Sequence, residues 1–290
     1  MFLLQIISKI EDSQRIGFVE SIISLTAMFL IIAGVPVFFH WLFKTRFGTK
    51  ALLGTDLRQA DMPVHLPIFV FLIWILASTL FAQIVEAFGF DASAWQEKFA
   101  AYLGIVIIEI FVIVIILIAA KRFFVGSLQS FGLNFKTWRK DLYAASLNFL
   151  AAWPFVILAL WVVMQIGHWR FGPEFQMEQN EGLRVIVEYE NLPLRVLTIF
   201  FAVLLTPIFE EFLFRGLLQS FLRNMGLGPW QSIIFVSIIF SALHPLMHFP
   251  ALMILSMAMG YAYEKSNSIL RPIFIHLIFN GITIAFALLG

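Results

Sequence analysis

A chain of 290 residues that is 61% hydrophobic and only 13% charged, with a mean hydropathy of +0.92, has the composition of an integral membrane protein. Soluble domains average about 45–50% apolar and about 25% charged residues. The absence of cysteine excludes disulfides, zinc–thiolate sites and iron–sulfur clusters, and a net charge of +1 without a basic tract gives no sign of a nucleic-acid partner.

The N-terminal residues Lys9, Glu11, Asp12 and Arg15 precede the first long apolar run, which has no small-residue cleavage site. That run reads as a permanent span rather than a cleaved signal. A spanning helix needs about 20 mainly apolar residues, and eight segments can meet that length: 18–43, 64–88, 100–120, 142–166, 194–222, 230–247, 251–264 and 268–289. The seventh is short, so seven spans is the fallback. The expected fold is an all-α, polytopic bundle of about eight transmembrane helices.

The connections divide the chain into an N-terminal four-helix region (1–169), an acidic surface loop (170–193) and a C-terminal region (194–290). Basic residues crowd the loops after the first and third spans. Within the second of these, Phe131-Gly132-Leu133 reads as the start of an interfacial amphipathic turn. Lys and Arg favour cytoplasmic loops, which places both termini and the acidic loop outside. Eight Trp residues fit interface anchoring, and membrane lipids are the expected surroundings, those of a plasma membrane. No internal repeat is visible.

The informative polar residues lie in the C-terminal region. Glu210, Glu211 and Arg215 interrupt the fifth apolar segment; Phe240 and His244 end the sixth; His276 and Asn280 lie in the eighth. A charge at the centre of a spanning helix costs about 2.5–3.5 kcal/mol on insertion scales, so these groups call for a function, an interior ion pair, or both. Residues four apart share a helix face, which lets Glu211 pair with Arg215 and makes His276 and Asn280 project together. Glu210 is rotated about 100° from Glu211 and must look to another helix. Counted from the turns that join them, all three groups fall at about the same depth, about 18–22 Å from one membrane face. Each also has a plainer reading: an architectural ion pair, a histidine at a helix end, or interhelical hydrogen bonding.

Taken in order, Glu-Glu-x-x-x-Arg, Phe-x-x-x-His and His-x-x-x-Asn resemble the motifs of the CAAX-processing and bacteriocin-processing intramembrane endopeptidases. The resemblance covers about the last third of the chain. It implies that Glu210 and His244 activate water, that His276 and Asn280 stabilise the oxyanion, and that Glu211 and Arg215 hold the helices in place. The chemistry is independently sensible, since amide hydrolysis needs a base for water and dry, preorganised donors for the oxyanion. Candidate substrates are prenylated CAAX-type proteins, leader peptides or other membrane-associated segments. CAAX processing requires cytoplasmic access, whereas the charge pattern sets Glu210 and His244 nearer the outer face; either the orientation is inverted or the substrate is different. No cofactor is required by this reading. Zinc stays open, with Glu210, His244 and His276 as its candidate ligands.

Two rivals belong to other classes. A non-catalytic membrane scaffold or partner-binding protein could keep the same fold. A transporter could use the buried acids as an ion relay, and Pro207 could break the helix beside them. His248, four after His244 but beyond Pro245, is a poor metal partner. Glu109 is intramembrane with no partner that can be named; Glu20, Glu86, His40, His65 and His168 lie near span ends.

Overall fold

Among the described residues, seven helices are long and apolar enough to cross a bilayer, and an eighth, shorter apolar one lies among them. The computed structural model describes the backbone of residues 2–20 and all of residues 21–55, 57–87, 95–178 and 180–289. These eight helices are α1 (Phe2–Lys44), α2 (His65–Ala87), α3 (Trp95–Phe123), α4 (Trp138–Phe171), α5 (Leu192–Asn224), α6 (Pro229–Ala242), α7 (Phe249–Ser266) and α8 (Leu270–Leu289); shorter helical turns lie at Ser127–Ser130 and Glu181–Glu188 in the connections. This is an integral, multi-pass, all-α membrane protein. Phe29, Ile107, Phe111 and Trp161 are among the large apolar side chains left on its outside, where lipid replaces water as the solvent.

The short helix is α6, not the seventh segment. Its apolar run continues past Ala242, but Pro245 has no N–H to donate and disfavours helical backbone at His244. The helix therefore stops 14 residues after it starts. Leu246–His248 forms a 3₁₀ turn that leads into α7, whose first turn carries Pro250. Asn267, left-handed at φ 55°, then ends α7.

Helix α5 is continuous across Pro207, but its winding is mixed. α-Helical turns at Leu192–Phe200, Thr206–Glu211 and Ser220–Asn224 alternate with π-helical segments at Phe201–Leu205 and Phe212–Gln219. In the first π segment the Thr206 N–H reaches the carbonyl of Phe201, five residues back. The next acceptor in that register is Ala202, whose donor would be the N–H that Pro207 lacks. The amide of Asn280 on α8 takes that carbonyl instead, at 2.7 Å. Pro207 thus widens the helix without breaking it.

Around α5 packs the aromatic core. Phe131 is fully buried rather than interfacial: it meets Phe124 and Phe212 edge-to-face and covers Gly216. The reversal at Gly132 (φ 99°) carries it inward by pressing the backbone against Ile269. A Cβ at Gly216 would stand 2.2 Å from the Phe131 ring. Gly216→Ala is therefore expected to lower stability by about 1–3 kcal/mol, the usual cost of overpacking. Thermal unfolding in detergent checks this, and Phe131→Leu in the same chain should restore most of the loss.

Candidate active site

Three helices deliver the polar groups to one place. A cavity of about 670 Å³ is lined by Glu210 from α5, by Phe240 and His244 at the end of α6, and by His276 and Asn280 from α8. The depth argument made from the turns is met. Glu211 and Arg215 are wholly buried behind this wall and do not line the cavity.

Hydrogen bonds orient each ring. His244 Nδ1 donates to the carbonyl of Phe240 one turn earlier, at 2.8 Å, and the Phe240 ring lies 4.9 Å from the imidazole. In the neutral ring this leaves Nε2 with a free lone pair. His276 Nδ1 donates to Glu211 Oε1 at 3.0 Å, while its Nε2 faces Glu210 Oε2 at 3.7 Å, a charge contact rather than a hydrogen bond. Asn280 spends one amide N–H on Ala202 and retains a second.

Behind the wall, Arg215 Nη1 donates to Glu211 Oε1 at 2.7 Å, and Nη2 donates to Ser256 Oγ at 2.7 Å. The guanidinium also lies 4.9 Å from the Phe240 ring. Residues four apart come nearly full circle in the wide turns of α5, which aligns the Glu211–Arg215 pair. One turn further on, Gln219 donates to the carbonyl of Gly260 and to Glu264. Ser256, Gly260 and Glu264 recur every four residues on α7 and form the face that receives α5. The small-residue spacing of Ser256 and Gly260 was visible in the sequence and would have marked the docking face.

Glu109 on α3 also acquires a partner. Thr206 Oγ1 donates to its carboxylate at 3.1 Å, and Glu210 is near enough to act on it electrostatically. Thr206 itself lines the cavity, so a second buried acid stands one residue from the wall. His248 donates through Nε2 to the carbonyl of Glu178, at 2.8 Å, and is engaged in holding the acidic loop. Glu178 from that loop, and Glu181, Gly182 and Leu183 from a short helix within it (Glu181–Glu188), line the cavity beside Lys98, which pairs with Glu181 at 3.0 Å. The loop read only as surface is part of the site.

Glu210, His244 and His276 share the cavity but are not gathered as the ligands of one metal ion. Among the described residues no three His, Asp or Glu side chains are grouped to hold a metal ion.

No curated protein and no solved structure matches the chain. Residues 192–282, the stretch that runs from the start of α5 into α8 and carries all three motifs, match the sequence model of a family described as type II CAAX prenyl endopeptidase Rce1-like. That stretch is thus similar to an intramembrane CAAX protease family, the one its motifs resemble, and the likeness supports endopeptidase activity at the level of the family.

Proposed function

We propose that this chain is an intramembrane endopeptidase of the plasma membrane that hydrolyses membrane-associated polypeptides with a glutamate-activated water. One observation carries the proposal: Glu210, His244, His276 and Asn280, drawn from three helices, line a single cavity within the bundle. Glu210 takes a proton from water as its oxygen bonds to the scissile carbonyl carbon. The free Nε2 of His244 assists by accepting from the same water. Charge then develops on the carbonyl oxygen, where the second N–H of Asn280 and a protonated His276 can donate. When the C–N bond breaks, the proton held by Glu210 passes to the leaving amine. Glu211 and Arg215 act at one remove, since Glu211 fixes the His276 ring and Arg215 fixes Glu211.

The test is cleavage by the purified protein in liposomes, with a pool of prenylated and unprenylated peptides read by mass spectrometry. Products are expected, and their masses identify the bond cut. A zinc chelator should leave the rate unchanged; a rate abolished by chelator and restored by zinc would replace the glutamate mechanism with a metal-dependent one. A folded protein that cuts nothing in the pool would favour the scaffold reading.

A further inference from the structure

The two ends of the bundle differ in charge, and the cavity reaches the connecting segments of only one of them. At one end, four connections are bonded into a single layer. Ala60 bridges Phe124, and Asn224 holds the same loop through the N–H of Ala60 and the carbonyl of Arg58. The N–H of Ile269 donates to Gly132 at 2.9 Å, and Ser268 and Arg271 both donate to Asp141. The loops after α1, α3, α5 and α7 therefore lie on one membrane face. Helix α3 measures the distance to the other. Lys98, on the cavity wall, and Phe123, beside the bonded layer, are separated by about 38 Å at 1.5 Å per residue. That exceeds the roughly 30 Å of a hydrocarbon core.

Basic residues are sorted between these faces. The bonded layer and its adjoining helix ends carry Lys44, Arg46, Lys50 and Arg58, then Lys121, Arg122, Lys136, Arg139 and Lys140, then Arg223, Lys265 and Arg271. The cavity end carries Lys98, Arg170, Arg184 and Arg195. Adding Lys9 and Arg15, at the far end of α1, still leaves six against twelve. The loops concerned are short, the condition under which an excess of Lys and Arg sets orientation.

We infer that the bonded layer faces the cytoplasm and that the cavity lies toward the extracytoplasmic side. The substrate consequence rests on the endopeptidase reading; the orientation does not. Under that reading the substrates are polypeptide segments presented outside the cytoplasm, such as leader or propeptide segments of exported chains and outer juxtamembrane stretches. Cytoplasmic CAAX ends would not reach the site.

The chain has no cysteine, so single-cysteine labelling has no background. Glu174→Cys marks an exposed position in the acidic loop, and Val125→Cys marks one in the bonded layer. Each full-length variant is expressed in bacterial cells and exposed to a membrane-impermeant maleimide, before and after permeabilisation. The expected result is labelling of Glu174→Cys in intact cells and of Val125→Cys only after permeabilisation. The reverse pattern, or labelling of both in intact cells, overturns the inference. Labelling needs no catalysis, so a protein that cleaves nothing would still report its orientation.

Discussion

Glu210→Gln is expected to reduce peptide cleavage by about 10²–10⁴-fold, the range that a general base contributes, while the folded protein survives. The substitution keeps the size of the side chain and removes its ability to take a proton. Glu210 is about one-tenth exposed, at the cavity wall, and its Oε2 stands 3.7 Å from His276 Nε2. A neutral amide there removes a charge from the site without opening a hole in the bundle. The measurement is single-turnover cleavage in liposomes, paired with thermal unfolding to verify the fold. His244→Gln provides the comparison: it should lose activity to a smaller degree, because it removes an assisting acceptor and leaves the carboxylate. A Glu210→Gln protein that unfolds like wild type and cleaves at the wild-type rate would end the proposed mechanism.

Arg215→Ala should be the most damaging single change to stability, costing about 3–5 kcal/mol, because it strands a buried carboxylate. Arg215 and Glu211 are both inaccessible, and the guanidinium joins Glu211, Ser256 and the Phe240 ring. Removing it breaks the bond from α5 to Ser256 on α7 and leaves Glu211 hydrogen-bonded to His276 alone. The double variant Glu211→Gln with Arg215→Met carries no charge at either of these two positions, and should recover much of the lost stability. It should not recover activity, since the carboxylate that fixes His276 is gone. Unfolding midpoints in detergent, set beside cleavage rates, separate the two effects. An Arg215→Ala protein that melts with the wild type would show that the pair contributes little to the fold.

Much of this architecture was legible because apolar runs in a membrane chain leave few alternatives. The spans agreed with the observed helices to within a few residues, apart from α1, whose helix begins at Phe2 and not near Phe18, and α6. His244-Pro245 shortened α6, an effect that hydropathy alone does not register. The depth of the site was legible too, since Glu210 and His244 stand at similar distances from the turn at Asn224–Pro229. The widened turns of α5 were not, because Pro207 signals a disturbance without saying whether the helix breaks or expands. The pairing of Glu109 with Thr206 depends on how α3 meets α5, and the burial of Phe131 depends on a reversal at Gly132. Both are tertiary facts with no local periodicity to announce them.

The bond from Asn280 to the carbonyl of Ala202 links the helix carrying the proposed base to a proposed oxyanion donor. Pro207 creates the acceptor and Asn280 satisfies it, so the two positions form a matched pair across two helices that are distant in sequence. In evolutionary terms they should change together. A related chain without the proline can close its own backbone there, which leaves position 280 held only by its part in the oxyanion site, whereas a chain that keeps the proline must also keep a donor on the facing helix.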